Sequence, residues 1–515
     1  MRDRIILWIL LIVLALIYVP VLLWVWQSPK AKELGLELRG PIVVYKTQRG
    51  KNAMDRIGSH RKFCRILASF SNIVAIILMG VMMVFLIMSV VGIPSKILGT
   101  TGTVSITGLG MNYIQFIIFG VIALFVSMII HEFAHGTQSR ANDVRVESSG
   151  LMYAVVPLGA FVEMNEEDSD KATLKQKMSI YSAGISANFI VAVISFLVFS
   201  VLLLAPLSNV DGVEDNSAGV YSLVNGSPAQ LAGLSVGSVI LTIDGEEVCL
   251  DENISGKIIS DGAVGGGIFT VEYKTPNGTA SKEMWLGVYV SGTVSGSPAQ
   301  LAGLPKDSII QTINGKSITD LASFYDVLGD LSTGDKIEMT YTDLSKNTAD
   351  EIEFNLGNNN GKAYMGVYLT YSGMQMVTPG HVLGVASNPM YNTTTISGAL
   401  SSALTYPFRG MEGYSPVPEE FQWWFDAPGG NLFWGGAVLM YWMFWVNLLL
   451  GITNALPLIP FDGGYLFRGW VTQLLEKIRY KDEKAREEAA KNIASAVSGV
   501  MAFLLILIVF VVLWY

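Results

Sequence analysis

Histidine is scarce in this 515-residue chain, with four copies, yet two of them stand in one pentad, His131-Glu132-Phe133-Ala134-His135. On an α-helix positions i and i+4 share a face, so the two imidazoles can offer nitrogen atoms to one ion while the Glu132 carboxylate lies beside them. That is the ligand geometry of a zinc site with a general base attached. At this histidine frequency, on the order of 0.001 such pentads are expected by accident. A firmly held zinc needs a third protein ligand and keeps one position for water. His60 lies in a basic segment and His381 in an acidic one, which leaves a carboxylate. In Asn454-Ala-Leu-Pro457-Leu-Ile-Pro460-Phe-Asp462-Gly463-Gly464, two prolines break a helix where an acid appears, and Asp462 is the expected third ligand.

Such ligands need elements that hold them at one depth. The chain is 51% hydrophobic and 15% charged, which argues against an ordinary soluble domain. A spanning helix needs about 20 mostly apolar residues, and such runs occur near 4–26, 67–92, 112–135, 183–206, 434–458 and 493–515. The expected fold is a polytopic α-helical membrane protein with about six transmembrane helices. The first run reads as an uncleaved anchor with Tyr18, Trp24 and Trp26 at an interface, because it exceeds a signal-peptide core and no Ala-x-Ala site follows. Residues 27–66 hold ten Lys and Arg and 459–492 hold seven, with five more in 136–182, whereas 93–111 has Lys96 alone. This puts the basic loops on the cytoplasmic side and both termini outside. Spans three and five then run in the same direction and deliver the pentad and Asp462 to similar depth. Cys64 and Cys249 fall on opposite sides and are not expected to pair.

The span 207–433 is different in kind, with 9 Lys and Arg against 25 Asp and Glu. Its four Asn-x-Ser/Thr triplets, at Asn225, Asn253, Asn277 and Asn392, agree with an external position. It also contains a repeat. Asn225-Gly-Ser-Pro-Ala-Gln-Leu-Ala-Gly-Leu and Ser295-Gly-Ser-Pro-Ala-Gln-Leu-Ala-Gly-Leu are followed by Ile-Leu-Thr-Ile-Asp-Gly245 and Ile-Gln-Thr-Ile-Asn-Gly315, an offset of 70 residues. Each copy predicts a short helix from Pro228 or Pro298, a Gly turn, an apolar strand and a tight hairpin turn. These stretches resemble PDZ domains, which implies two inserted α+β domains at 207–285 and 286–372 with a groove helix at Leu321–Leu328 in the second. The first copy runs through Gly262-Ala-Val-Gly-Gly-Gly267 where its helix would stand. The PDZ resemblance implies a peptide or C-terminal tail bound in the grooves by strand addition; two rigid spacers are the plainer reading. Segment 373–433 reads as an extracytoplasmic connection whose aromatics, Phe421 to Phe425 and Phe433-Trp434, sit at the membrane interface.

The pentad in a membrane helix, the Asn-x-x-Pro-x-x-Pro-x-Asp-Gly-Gly stretch in a later one and the intervening PDZ-like repeats together resemble the site-2 protease family of intramembrane zinc metalloproteases. The resemblance covers about 112–206 and 218–470. It implies zinc on His131, His135 and Asp462 and Glu132 as catalytic base, with the membrane core divided into 67–206 and 434–470. It also implies a substrate role for Asn454, and for Asn188 in Ala183-Gly-Ile-Ser-Ala-Asn188, where the family has proline at the third position; an interhelical structural amide is the other reading of Asn188. Gly150 to Glu163 is apolar, too short to span and broken by Pro157 and Gly159, so it predicts a re-entrant or interfacial hairpin. In the similar family such a segment offers a strand edge to substrate, which points to Val156, Pro157, Leu158 and Gly159.

The expected reaction is hydrolysis of a peptide bond within or near a transmembrane segment, with active site toward the cytoplasm. The expected partners are a single-span membrane-protein substrate and the lipid bilayer. No nucleic acid is expected: the basic segment of 1–66 reads as a topogenic loop and 471–515 as a solvated helix plus the last span. A metal-ion transporter would place further ionisable residues along its spans, and spans two and six have none. A silent membrane-anchored PDZ scaffold would have no need of Glu132.

Overall fold

A computed structural model describes residues 16–91, 116–154, 156–250, 258–259, 266–359, 361–388, 390–391, 393–395, 398, 415–480 and 482–514. Much of the first expected span therefore lies outside the described residues, with Leu16–Gln27 helical; so does most of 251–265, where the first repeat's groove helix would fall. Internal contacts divide the chain into a unit from 1–199, 407–414 and 436–515 and another from 200–406 and 415–435.

The first unit is helical. Its main elements are α1 (Arg61–Val91), α2 (Val121–Ala141), α3 (Leu174–Phe196), α4 (Asn431–Ala455), α5 (Asp462–Lys477) and α6 (Glu483–Trp514). Among the described residues five helices are long and apolar enough to cross a membrane, and the protein is a multi-pass membrane protein. Helices α1, α2, α3 and α6 all outrun the apolar stretches that announce them. Helix α2 continues past His135 because Thr137, Gln138 and Ser139 are buried against protein, with Ser139 Oγ donating to His135 O at 2.8 Å. Helix α3 begins at Leu174, ahead of its apolar run, where Thr173 and Gln176 form a capping box. The core of the unit joins Val74, Ala75 and Leu78 of α1, Met178 and Ile185 of α3, Ala455 of α4 and Leu466 of α5.

Beside these helices lies an antiparallel sheet in the order β1 (Leu36–Arg39), β2 (Ile42–Thr47), β3 (Val146–Ala154), β4 (Val156–Met164). The expected hairpin is thus two strands of a larger sheet, and the basic segment 27–66, read from its charges as a plain loop, supplies the other two. The β-branched run Ile42-Val43-Val44, with both valines buried, is what makes β2 a strand.

In the second unit, β5 (Ala218–Leu223), β6 (Val239–Ile243), β7 (Gly267–Thr275) and β8 (Gly278–Leu286) belong to the first repeat. Next come β9 (Val288–Thr293), β10 (Ser308–Ile313), β11 (Lys336–Asp343), β12 (Thr348–Asn355) and β13 (Val367–Tyr371) of the second, then β14 (Met374–Val377). Ser227 and Ser297 cap the short helices from Pro228 and Pro298, and the turns Asp244-Gly245 and Asn314-Gly315 have positive φ at all four residues, as hairpin turns of this tightness require. The strand order is β8-β7-β6-β5-β14-β13-β9-β10-β11-β12. Val294 N–H donates to Gly366 O and Ala299 N–H to Met365 O, while their repeat equivalents Val224 and Ala229 donate to Gly373 O and Ser372 O. Donors 70 residues apart thus meet acceptors 7 residues apart. The second repeat is nested within the first, whose closing strand is β14. The division expected at 372 therefore falls between the two closing strands and leaves β14 outside the copy it completes.

Of the aromatics read as interfacial anchors, Phe421, Trp424, Phe425 and Trp434 are buried within this unit, while Trp423 and Phe433 are half-buried: Trp424 is fully enclosed, its Nε1 donating to Gly237 O at 2.8 Å, and Tyr221 stacks on Phe421. The reason is space. Gly219 leaves room where a Cβ would stand 2.4 Å from the Trp424 ring.

The nesting is testable at its two glycines. A Cβ on Gly366 would lie 2.1 Å from Ser297 Cβ and one on Gly373 2.0 Å from Ser227 Cβ, both at positive φ. Gly373→Ala and Gly366→Ala should each cost about 2–4 kcal/mol. In hydrogen-exchange mass spectrometry Gly373→Ala should loosen β5 and β6, and Gly366→Ala β9 and β10. The converse pattern would refute the nesting.

Candidate metal centre

Helix α2 turns His131 and His135 to the same side, both 7% exposed, with their rings edge to face at 4.7 Å between centroids. Their Nε2 atoms are 3.1 Å apart, and Asp462 Oδ2 lies 3.2 Å from the first and 3.1 Å from the second. Adjacent donors around a tetrahedral zinc with bonds of about 2.0–2.1 Å are about 3.3 Å apart. The three residues fit that ion in donor type and spacing, and one face of the triangle remains for a further ligand. No other group of three metal-binding side chains converges in this way among the described residues.

Two backbones must come very close for this to happen. Helix α3 passes behind the imidazoles at Gly184, where a Cβ would stand 2.4 Å from His135 Nε2 and 2.6 Å from His131 Cε1. Its Ile180 carbonyl accepts the Nδ1–H of His135 at 2.7 Å, which directs that ring's Nε2 toward Asp462. Asp462 is the first residue of α5, after the break at Pro457 and Pro460. Gly463 and Gly464 follow because Cβ atoms there would meet Ala455 O and Leu456 O at 2.3 Å and Ile459 N at 2.7 Å. Ser498 of α6 braces the break, accepting from Ile459 N–H and donating to Pro457 O.

Glu132 stands beside the ligands on α2, and its Oε2 accepts the backbone N–H of Val162 in β4 at 3.1 Å. It also lines a small cavity of about 160 Å³ with Ile129, Phe133, Leu151 and Phe161. Val156, Pro157, Leu158 and Gly159 form the start of β4. Asn188 is fully buried behind His131, its amide 3.1 Å from Nδ1, on the ring edge away from Asp462. Asn454 donates to Leu450 O within its own helix. Gly184, the Ile180 carbonyl and Ser498 were not singled out from the sequence. Only Gly184 left a trace there, as the second residue of the Ala183-Gly-Ile-Ser-Ala-Asn188 stretch, in which Asn188 alone was given a role.

The model of peptidase family M50 matches residues 119–507. An uncharacterised protein of Methanocaldococcus jannaschii is 27% identical over 210 residues, 39% of this chain and 56% of that one. A Clostridium perfringens protein named as a candidate zinc metalloprotease is 27% identical over 158 residues, 26% of this chain and 44% of its own. The chain thus spans about half the length of the curated relatives it matches. Two PDZ-domain crystal structures of SdrC-like proteins also match, from Listeria monocytogenes and Listeria innocua. They are 22% and 27% identical, cover 16% of this chain and 87% and 92% of theirs, and have TM-scores of 0.15. With the family match running through both the pentad and the Asp-Gly-Gly turn whose side chains meet in the structure, this chain belongs to peptidase family M50, the site-2 protease family.

Proposed function

We propose that the protein is a zinc-dependent intramembrane endopeptidase that cuts a membrane-protein substrate within or near its transmembrane segment. The observation that carries this reading is the approach of His131 Nε2, His135 Nε2 and Asp462 Oδ2 to within 3.1–3.2 Å of one another on helices of the membrane unit. Zinc held by these residues would supply a Lewis acid and a water of pKa about 7. Glu132 takes the proton from the attacking water and returns it to the leaving amine. The Val162 N–H holds one oxygen of that carboxylate and so fixes its plane for the transfer.

A substrate helix in lipid hides its peptide groups in internal hydrogen bonds and must be unwound locally before attack. Strand β4 is the terminal strand of its sheet, and an edge of this kind accepts an extended chain by strand addition. The segment Val156–Gly159 and the half-buried Asn454 are the groups proposed to meet that chain. The charge distribution of the loops supports an active site toward the cytoplasm, six crossings and the repeats on the other side. In the second repeat, Leu321–Gly329 and β13 border a cavity of about 980 Å³ lined by Phe324, Tyr325, Leu328, Met365 and Val367. It is proposed to take an extended peptide or a C-terminal tail, so that the repeats select among substrates.

The decisive measurement uses purified protein with a single-span substrate and metal analysis. Glu132→Gln should keep one zinc per chain while turnover falls by about 10²–10⁴. His135→Ala should lose the zinc along with the activity, and chelation should reproduce that loss. A Glu132→Gln protein with near-normal turnover would rule the mechanism out. Gly184→Ala should weaken zinc binding by at least about tenfold, since neither imidazole can stay in place beside the new methyl group.

A further inference from the structure

Helix α3 presents Ile180, Gly184 and Asn188 at successive i+4 positions, one face of the helix. All three meet the metal group. Ile180 O takes the Nδ1–H of His135, Gly184 yields the space that both rings fill, and Asn188 lies 3.1 Å from Nδ1 of His131. The His131 and His135 pair, itself spaced i, i+4 on α2, is matched end for end by this face. Each imidazole has Nε2 toward Asp462 and Nδ1 toward α3.

A neutral imidazole has one protonated nitrogen and one lone pair. A ring that gives Nε2 to a metal carries its proton on Nδ1, and that proton requires an acceptor. For His135 the acceptor is a carbonyl. For His131 the polar neighbour at Nδ1 among the described residues is the Asn188 amide, and with its NH₂ toward Nδ1 the ring would be left with its proton on Nε2, the wrong tautomer for a ligand. Asn188 Oδ1, buried, has no partner in that orientation, so it forfeits no hydrogen bond when the amide turns over. The two ends of an amide have nearly the same shape, and the network decides between them.

We propose that Asn188 is a positioning residue for the ligand His131: its Oδ1 accepts the Nδ1–H and thereby fixes the tautomer and ring plane that direct Nε2 to the metal. The inference rests on the zinc reading of the site. It also differs from the expectation that Asn188 contacts substrate or an oxyanion, since the amide stands on the far side of His131 from Asp462.

The test compares full-length wild type with Asn188→Asp, which keeps an acceptor oxygen, and Asn188→Leu, which keeps the size and removes it. Zinc affinity is read by chelator competition, and ligand geometry by the visible absorption of the cobalt-substituted protein. Asn188→Leu should bind zinc about 10–100-fold more weakly with an altered cobalt spectrum, as loss of an outer partner of a metal ligand does. Asn188→Asp should stay within about threefold of wild type with the spectrum preserved. If the leucine variant does not fold, Asn188→Ala takes its place in the same comparison. Equal affinity in the wild type and the acceptor-free variant overturns the inference, as does an aspartate variant that fails to rescue. So does a fall in kcat/KM with zinc affinity and spectrum unchanged, which makes Asn188 a substrate contact. A wild-type protein that binds no zinc would instead remove the zinc reading itself.

Discussion

Two imidazole nitrogens and a carboxylate oxygen about 3 Å apart turn their lone pairs on one another, and in a buried setting that arrangement stands only with a proton or a cation among them. The membrane unit is built around this constraint. Glycine appears where ligand-bearing backbone must approach other backbone or a ring, at Gly184 behind the imidazoles and at Gly463 and Gly464 after the carboxylate. A methyl group at any of the three would separate the donors. Helix α3 therefore does more than fill space beside α2: its approach distance, carbonyl and amide all act on the same two side chains.

The remaining helices hold that approach in place. Ser71 of α1 and Ser186 of α3 share a hydrogen bond of 2.5 Å, so small polar groups lie where these two helices meet, and the buried Ser127 of α2 satisfies itself on Ala123 O of its own helix. Large apolar residues point the other way: Ile73, Ile76 and Ile77 of α1 and Phe503 and Ile506 of α6 are each more than half exposed. In water such a surface would drive aggregation, whereas in lipid it costs nothing and association comes from close contact of small residues. The same division explains why helix ends were misread from hydropathy. Hydropathy reports contact with lipid, whereas α2 extends into a polar stretch buried in protein at Thr137, Gln138 and Ser139 and α3 begins with a polar, partly exposed turn set by its capping box.

Legibility in the sequence follows from whether a feature is local. The pentad is local, since one turn of helix fixes the two histidines relative to each other, and it was readable at once. Asp462 is distant by 327 residues from His135, yet its proline break and the direction of its span were enough to select it. Gly184 stood in the quoted Ala183-Gly-Ile-Ser-Ala-Asn188 stretch, yet its role was not readable, because a glycine in a membrane helix has many explanations and the neighbours that require it lie on α2. The nested order of the repeats was hidden for a related reason: β13 and β14 are adjacent in the chain, and nothing local says that each closes a different copy. Trp424 was misassigned because an aromatic run before a span is an interfacial signal on average, while its actual partners, Gly219 and Gly237, lie some 200 residues earlier.

The bond from Val162 N–H to Glu132 ties the sheet to the chemistry and sets a limit on how a substrate chain is read. Backbone groups along a strand face one edge at every second residue. If Val162 faces away from β3, Ala160 does too, since Ser149↔Val162 through Met152↔Gly159 pair without interruption. Beyond Gly159 the register shifts: Met152 pairs with Gly159 and Tyr153 with Pro157, leaving Leu158 as the extra residue of a bulge. Pro157 adds no N–H. An extended chain added along β4 is therefore bounded on one side by a bulge that alters the direction of the edge and on the other by a donor already engaged with the base. On the proposed function this confines regular ladder pairing to the few residues around Ala160, with Val156–Gly159 meeting the docked chain past the bulge without a regular ladder, and it sets the position of that chain relative to Glu132.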